Sequence, residues 1–308
     1  MNKEFVASYL ELFETKELEL RLEQLYELLG ECRVCPRECE VNRLEGEIGC
    51  CGIGRKARVS SYGPHYGEEA PLRGWRGSGT IFFGGCNLGC VYCQNADISQ
   101  HPHGREVDPQ GLGRIMLDLQ KAGCHNINLV SPSHLVPQII AGLIHAADHG
   151  LKLPLVYNTG GYDSLQVIKL LDGIVDIYMP DMKYSDRVVG EKYSGVPDYP
   201  RINQLAVAEM HRQVGDLVLS NHGIALRGVI IRHLILPENL AGSHSILDFI
   251  AREISKNTYL NLMDQYRPAY LAGDYPELSG RVGEEQYGDL VEAAKELGLN
   301  RLDGVTKN

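Results

Sequence analysis

The chain has 308 residues, of which 44% are hydrophobic, and carries a formal net charge of -10 at pH 7. This is enough apolar sequence to bury a sizeable core, so fibrous and disordered classes are excluded. Lysines and arginines are scattered along the chain, which argues against a nucleic-acid partner. The N-terminus is interrupted by charges and no later stretch is apolar enough to cross a bilayer. We therefore expect a cytoplasmic protein with no membrane partner.

The N-terminal part of the chain differs in pattern from the rest. Residues 1–30 carry leucines at helical spacing and end in Gly30, which suits a helix C-terminus. A cysteine-rich loop follows, with too many glycines, prolines and charges for regular structure. These patterns predict an N-terminal helix plus Cys-rich module over residues 1–60 and a second unit over residues 61–308.

From about residue 79, short apolar runs alternate with amphipathic helical segments, which is typical of successive parallel βα units. Helices are predicted over 109–123 and 134–150, with a closing helix over 282–298. The fold class is therefore α/β, although periodicity alone does not choose between a doubly wound sheet and an incomplete barrel. The six predicted strands are TIFFGG (80–85), NINLVS (126–131), LPLVYN (153–158), IVDIYMP (174–180), GVIIRHLILP (228–237) and YLNLM (259–263).

Polar residues follow nearly every predicted strand at its C-terminal end. In α/β folds, this is the edge at which ligands bind. Neither G-x-G-x-x-G nor G-x-x-x-x-G-K-S/T follows a strand, so the sequence supports neither a dinucleotide site nor a P-loop.

Eight of the nine cysteines lie between residues 32 and 93, which indicates metal or redox chemistry and not a disulfide framework. Cys86, Cys90 and Cys93 have C-x3-C-x2-C spacing directly after the first predicted strand. A structural zinc site would need a fourth ligand from elsewhere in the chain. A 4Fe-4S cluster with three thiolates instead leaves one iron open to a substrate or cofactor. Cys124 is expected to be a buried thiol.

The segment CNLGCVYC resembles the C-x3-C-x-aromatic-C signature of the radical S-adenosylmethionine (SAM) superfamily. Several other segments resemble the branch related to pyruvate formate-lyase activating enzymes, often labelled PflX. They are CPRECEVNRLEGEIGCCG, GSGTIFFGGCNLGCVYCQN, VYNTGGY, DIYMPDMKY, RGVIIRHLILP and LMDQYRP.

The resemblance implies a partial (β/α)6 barrel of radical SAM type with a small Cys-rich N-terminal module. It implies an enzyme that cleaves SAM reductively at a 4Fe-4S cluster to a 5'-deoxyadenosyl radical, which then abstracts hydrogen from a substrate. A glycyl radical enzyme is one candidate substrate, and a protein, peptide or small molecule all remain open. Flavodoxin or ferredoxin is implied as the low-potential electron donor.

The resemblance also assigns cofactor-binding side chains. Tyr92 would lie near the adenine, and Arg232 would meet the cofactor carboxylate, which suits a guanidinium fork. Asp181 and Lys183 share one face of an extended segment and resemble the Asp-x-Lys of activating enzymes. A mutually satisfied ion pair is the alternative for these two. Arg232 and His233 alternate along a strand, so only one of them can point into the barrel.

The chain departs from the family after the second predicted strand. Where relatives have a Gly-Gly-Glu-like segment, this sequence has VSPSH, so we expect Ser131, Ser133 or backbone carbonyls to replace the missing glutamate. The alternative is a turn in which Ser133 caps the following helix. Asn158 and Thr159 end the third predicted strand, where two glycines allow a ligand to approach the backbone closely. A plain turn is the alternative there.

The N-terminal cysteines form a second candidate metal site. Four thiolates at this spread can bind a tetrahedral zinc or a second iron-sulfur cluster, and spacing does not separate the two. In the resembled branch, the pattern aligns with Cys32, Cys35, Cys39 and Cys51, which leaves Cys50 as a surplus thiol. Reduced packing thiols or a regulatory disulfide are the alternatives.

A different class of function also fits an iron-sulfur protein. The chain could be an electron-transfer or binding module that releases no radical. The three-cysteine loop argues against this hypothesis, because simple ferredoxin centres have four protein ligands.

Overall fold

The structure, a computed structural model, describes residues 5–304. The ends of the two predicted units, residues 1–4 and 305–308, lie outside the described residues. The strands are β1 (Ala57–His65), β2 (Ser78–Phe83), β3 (Arg105–Val107), β4 (Ile127–Val130), β5 (Leu155–Thr159), β6 (Ile177–Pro180), β7 (Val218–Leu219), β8 (Ala225–Leu234) and β9 (Tyr259–Met263).

The helices surround this sheet. They are α1 (Tyr9–Glu14), α2 (Glu17–Gly30), α3 (Ala70–Arg73), α4 (Ala96–Ser99), α5 (Pro109–Lys121), α6 (Val136–Asp148), α7 (Leu165–Leu170), α8 (Arg187–Ser194), α9 (Tyr199–Val214), α10 (Ser243–Phe249) and α11 (Glu284–Glu296). Short 3-10 turns occur at Arg43–Glu45, Pro237–Asn239, Ala272–Asp274 and Pro276–Leu278, and one π-helical turn at Ile250–Ile254. None of the helices within residues 5–304 has both the length and the apolar character needed to span a bilayer.

The sheet has the order β3-β1-β2-β4-β5-β6-β8-β7, with β9 paired to β8. The six strands β2, β4, β5, β6, β8 and β9 pair in parallel in that sequence. They correspond to the six predicted strands, so the α/β fold with a mostly parallel sheet is confirmed. The helices predicted over 109–123, 134–150 and 282–298 are α5, α6 and α11.

The sequence analysis did not predict three of the strands. β1 and β3 extend the β2 edge in antiparallel fashion, and β7 pairs antiparallel with β8. β1 contains Gly63 and Pro64, and its second half is largely exposed, so it lacks the apolar pattern of a core strand. β1 also crosses the predicted boundary at residue 60. The division into two units stays a prediction.

Local signals explain where helices begin and end near the sheet edge. Asp108 caps α5 by accepting from the Gly111 amide over 2.6 Å, and Pro109 occupies the first helical position. α8 ends at Gly195, whose φ of 64° is the left-handed conformation that glycine adopts readily. These signals fix the loops that meet the C-terminal ends of the strands.

Side chains alternate between the two faces of the parallel strands. Val156, Ile177 and Ile230 pack in one cluster with Leu72 of α3, so α3 closes the end of the barrel where the strands begin. Two residues further along the same face of their strands come Asn158 and Arg232. Polar side chains therefore line the inner face near the C-terminal edge.

Candidate active site

The three-cysteine loop leaves β2 at the C-terminal edge of the sheet. Gly85, with φ of 81°, allows the chain to turn there, and a Cβ on it would lie 2.4 Å from the carbonyl oxygen of Cys51. Cys86, Cys90 and Cys93 follow; Cys90 is buried, and the other two are half-buried. The loop therefore packs directly against the N-terminal cysteine segment.

The three thiols of this loop are close neighbours. Burial raises the pKa of Cys86 to about 12, and the nearby Cys90 and Cys93 thiols raise it further. The pKa of Cys90 is raised for the same reasons, burial being the largest. Thiolates in such a place need compensating positive charge, which iron would supply, so the loop fits an iron-sulfur cluster.

Each thiol of the loop also has a hydrogen-bond partner. The Leu88 amide donates to Cys86 Sγ over 3.4 Å. Cys90 Sγ lies 2.9 Å from the Ser194 hydroxyl, and Cys93 Sγ lies 3.2 Å from the Ser99 hydroxyl. Hydrogen bonds to ligand atoms orient those ligands and tune the reduction potential of a bound metal centre.

Arg37 of the N-terminal module ties this loop to the end of α8. Its guanidinium donates to the carbonyls of Asn87 and Gly195, each over 2.8 Å, and to that of Ser194 over 3.3 Å. The Gly89 amide also donates to the Ser194 carbonyl. The three-cysteine loop is thus held by hydrogen bonds from the Arg37 guanidinium and by a backbone hydrogen bond to the end of α8.

A cluster of charged side chains lies beside the loop, on the inner face of the barrel. Asp181 Oδ2 accepts from Lys183 Nζ over 2.7 Å, and Asp181 Oδ1 accepts from Arg232 Nε over 2.9 Å. Arg232 Nη2 also donates to Asn158 Oδ1 over 2.8 Å. The structure brings together these four residues, which the sequence analysis singled out separately.

Electrostatics keeps these groups charged. Burial by itself would raise the pKa of Asp181, but Arg232 and Lys183 hold it below its usual range. The pKa of Lys183 is raised in spite of burial, because Asp181 and Cys90 favour its charged form. The positive charge of Lys183 lowers the pKa of Cys90 in turn, against burial. A Cβ on Gly160 would lie 2.8 Å from Leu88 Cδ1 and 3.6 Å from Lys183 Cε, so the charged cluster lies next to the three-cysteine loop.

Sequence reasoning missed two glutamates that extend this site. Glu69 Oε1 accepts from Asn261 Nδ2 over 3.0 Å and lies 4.0 Å from Arg232 Nε. Burial raises the pKa of Glu68, with Arg232 lowering it and Glu69 raising it. Both follow β1, so the paired acids in GEEAPL could have been noticed only if that strand had been predicted.

His233 points away from Arg232, as the alternation predicts. Its Nδ1 lies 2.6 Å from the Met182 carbonyl and its Nε2 lies 2.8 Å from the Ser243 hydroxyl of α10. Burial lowers the pKa of His233 to about 4. This histidine is therefore a neutral, hydrogen-bonded residue between the sheet and the outer helices.

Ser133 and Thr159 lie in a different hydrogen-bonded group. Their hydroxyls are 2.9 Å apart, and Thr159 donates to Asp163 Oδ2 over 2.7 Å. Tyr157 donates to the other oxygen of Asp163 over 2.8 Å. Thr159 shares the strand face of Tyr157, opposite Asn158. The cofactor-binding role predicted for Ser133 and Thr159 stays a prediction, with both hydroxyls already engaged.

Ser131 and Tyr92 have distinct surroundings. Ser131 has φ of 57°, a conformation that costs a non-glycine residue energy, and its amide donates to the Asn158 carbonyl over 2.9 Å. The Tyr92 ring makes edge contacts with Tyr184 and Tyr266. Their predicted contacts with the cofactor stay predictions.

The N-terminal cysteines also lie together. Burial is the main cause that raises the pKa of Cys35, and Cys51, Cys32 and Cys39 raise it further. A Cβ on Gly49 would lie 3.6 Å from Cys39 Sγ and 3.7 Å from Cys51 Sγ. A cavity of about 120 Å³ is lined by residues of both segments, among them Cys51 and Cys86.

Arg43 is a fully buried cation beside these thiols. Its Nη1 contacts Cys32 Sγ at 3.8 Å and donates to the His134 carbonyl over 2.8 Å. No carboxylate lies within 4.0 Å of its guanidinium nitrogens within residues 5–304. A buried charge needs a partner, and a thiolate at Cys51 would supply one, since Arg43 lowers the pKa of Cys51 against the burial that raises it.

In the part of the chain that the structure describes, no three His, Cys, Asp or Glu side chains are grouped closely enough to hold one metal ion. A cubane 4Fe-4S cluster does not need such a group, because each of its thiolates binds a different iron atom.

Cys124 is buried, 3% exposed, as expected.

The chain is similar to one known family and to two known proteins. The family model described as the radical SAM superfamily matches residues 80–210. An uncharacterized protein of Methanocaldococcus jannaschii, MJ0674, is 31% identical over 302 residues, which cover 95% of this chain and 82% of that protein. A second protein of the same organism, MJ0808, is 24% identical over 281 residues, covering 83% and 78% of the two chains.

Among solved structures, a radical SAM methyltransferase from Sphaerobacter thermophilus matches with a TM-score of 0.47 and 15% identity. The match covers 71% of this chain and 64% of that one. The family model spans β2 and the three-cysteine loop, whose thiols the structure places together at the sheet edge. Residues 80–210 of the chain therefore belong to the radical SAM superfamily, which implies a 4Fe-4S cluster and SAM.

Proposed function

We propose that this protein is a radical SAM enzyme of the activating-enzyme type, related to the PflX branch. Cys86, Cys90 and Cys93 would hold the 4Fe-4S cluster and leave its fourth iron for SAM. The observation that carries the proposal is the position of the ion-paired Asp181 and Lys183 beside this loop, where Lys183 and Leu88 both lie against Gly160.

When bound, the cluster and SAM supply the radical chemistry: one electron breaks a sulfonium C–S bond to give methionine and a 5'-deoxyadenosyl radical, which takes a hydrogen atom from the substrate. The protein side chains bind and orient. Arg232 suits the cofactor carboxylate, because its Nη1 makes no hydrogen bond within residues 5–304 and can give a charge-assisted one to a carboxylate. Asp181 keeps Arg232 and Lys183 in place, and Asn158 fixes the other edge of the guanidinium.

The electron must come from a low-potential protein donor, for which we propose flavodoxin or ferredoxin. The substrate class is open between a protein, a peptide and a small molecule. A glycyl radical enzyme is the candidate that the activating-enzyme motifs favour. Mixing the reduced enzyme, SAM and a purified glycyl radical enzyme should then generate a glycyl radical signal in electron paramagnetic resonance (EPR).

The cluster assignment has a direct test. Anaerobically reconstituted protein should show a 4Fe-4S spectrum that changes when SAM is added, and a Cys86/Cys90/Cys93 triple-alanine variant should lose that response. Protein that carried zinc at this loop and no iron would contradict the proposal.

We also propose that Cys32, Cys35, Cys39 and Cys51 bind a second metal centre, either zinc or an iron-sulfur cluster. Zinc would require the four thiols to move closer together than they lie in the structure. The buried Arg43 supports it, because Arg43 contacts Cys32 Sγ at 3.8 Å and opposes the rise in the pKa of Cys51 that burial causes, and the thiolate is the form that binds metal. The triple-alanine variant separates the two options. Iron retained by that variant would indicate a second cluster, and zinc alone would indicate a structural site.

A further inference from the structure

We propose that a line of buried hydroxyl groups, from Tyr92 through Tyr184 and Ser194 to Cys90 Sγ, sets the reduction potential of the cluster. The inference rests on the proposed binding of that cluster by the three-cysteine loop. Ser194 and Tyr184 are positioning residues here, since they act through the Cys90 ligand.

The line is continuous and closed to solvent. Cys90 Sγ lies 2.9 Å from Ser194 Oγ, and Ser194 Oγ lies 2.8 Å from the Tyr184 hydroxyl. The Tyr184 hydroxyl is hydrogen-bonded in turn to that of Tyr92. The exposed fractions are 7% for Cys90, 0% for Ser194, 2% for Tyr184 and 5% for Tyr92.

Iron binding would fix the direction of every bond in this line. A thiolate bound to iron carries no proton, so Ser194 must donate to Cys90. Ser194 has then used its only proton, so its oxygen accepts from Tyr184. By the same reasoning, Tyr184 accepts from Tyr92. All three hydroxyl dipoles thus point toward the sulfur and polarise one another.

This arrangement favours the reduced cluster. Reduction adds negative charge to the cluster and its thiolates, and hydrogen bonds to the sulfurs stabilise that charge. The effect is larger in a buried site, where the dielectric constant is low. The hydroxyl line should therefore raise the reduction potential and make the cluster easier to reduce.

The line can be tested without moving the backbone. The Gly89 amide donates to the Ser194 carbonyl over 3.2 Å, and the Val91 amide donates to the Tyr193 carbonyl over 2.9 Å. These bonds do not involve the Ser194 side chain. Removing its hydroxyl should leave the contact between α8 and the loop in place.

The experiment is a potentiometric titration of the full-length, reconstituted protein, followed by the EPR signal of the reduced cluster. Ser194→Ala should lower the ratio of reduced to oxidised cluster at a fixed potential about tenfold, which is 59 mV for one electron. Tyr184→Phe should shift the midpoint in the same direction by less. The double variant should shift the midpoint by less than the sum of the two single shifts, because Tyr184 is hydrogen-bonded to Ser194 and acts in part through it.

Tyr162→Phe is the matched control. It removes a buried tyrosine hydroxyl from the same aromatic cluster, but that hydroxyl donates to Asp198 over 2.7 Å and is not part of the line. Its midpoint potential should equal that of the wild type.

Three outcomes would overturn the inference. Wild-type potentials in both Ser194→Ala and Tyr184→Phe would do so, as would a Tyr184→Phe shift that persists undiminished in the Ser194→Ala background. If Ser194→Ala took up no cluster, an unchanged potential in Tyr184→Phe alone would decide against it. A wild-type protein that bound no 4Fe-4S cluster would instead contradict the proposed function itself.

Discussion

The guanidinium of Arg232 donates to the carboxylate of Asp181 over 2.9 Å, across the neighbouring strands β8 and β6. Asp181 lies immediately after β6, and its pKa is held below its usual range by Arg232 and Lys183 against burial. The pair therefore stays charged at neutral pH. It fixes a cation on the inner face of the barrel, next to the loop proposed to bind the cluster.

Replacing Arg232 with alanine should weaken SAM binding about tenfold to a hundredfold. Charge-assisted hydrogen bonds contribute about 1.5–3 kcal/mol, and each 1.4 kcal/mol is a factor of ten in affinity. Calorimetry on the anaerobic, reconstituted protein measures the dissociation constant for SAM. Arg252→Ala is the control, because the Arg252 side chain is 70% exposed and, within residues 5–304, pairs only with Asp248. Equal affinity in the Arg232 variant and the wild type would rule out this role.

The two adjacent cysteines of the N-terminal module should differ in metal binding. Cys51 is buried among the other thiols, whereas Cys50 is exposed. We expect Cys51→Ser to lose the metal of the second site and Cys50→Ser to retain it. Elemental analysis of iron and zinc per chain measures this. Loss of metal in the Cys50 variant, with retention in the Cys51 variant, would contradict the proposed ligand set.

Replacing either of two glycines of the three-cysteine loop with alanine should affect iron content and stability differently. Gly85→Ala places a Cβ 2.4 Å from the Cys51 carbonyl and keeps φ at 81°, which costs a non-glycine residue about 1–2 kcal/mol before the clash is counted. Gly89→Ala meets its nearest atom at 3.6 Å, an ordinary contact. Iron content and the thermal midpoint should both fall for Gly85→Ala only. Wild-type values in both variants would show that the loop tolerates a side chain at residue 85.

His233 should make folding sensitive to acid. Its folded pKa is about 4 against an ordinary value of 6.5, so the unfolded chain binds a proton that the native protein does not. This contribution to stability is complete above pH 6.5 and is lost as the pH falls toward 4. The slope is at most about 1.4 kcal/mol per pH unit.

Denaturant unfolding of the wild type and His233→Gln, at several pH values between 7 and 4, measures this contribution. The wild type should lose stability relative to the variant as the pH falls. His149→Gln is the control, because the His149 side chain is 52% exposed. Parallel pH profiles for the wild type and His233→Gln would contradict the expectation.

The sequence predicted the parts of the fold that have a strong local pattern. Each of the six parallel strands is a short apolar run followed by a polar turn, and all six were found. β1 was missed, because its second half is polar and contains Gly63 and Pro64. Glu68 and Glu69, which follow β1, were missed as well, and Glu69 lies 4.0 Å from Arg232 on the inner face of the barrel.

The same holds for the candidate site: residues with a local spacing pattern could be predicted, and contacts between distant residues could not. Cys86, Cys90 and Cys93 could be recognised because their spacing is local. Contacts that join distant residues could not be, such as Ser194 to Cys90, 104 positions apart, and Arg43 to His134, 91 positions apart. Such contacts depend on the packing of α8 and the N-terminal module against the sheet edge.

The production of 5'-deoxyadenosine tests the proposed function most directly. Reconstituted protein incubated anaerobically with SAM and dithionite should release 5'-deoxyadenosine and methionine, and the Cys86/Cys90/Cys93 triple-alanine variant should release neither. An intact 4Fe-4S cluster that is reduced in the presence of SAM and yields no 5'-deoxyadenosine would contradict the proposal. That result would indicate an electron-transfer or binding module instead.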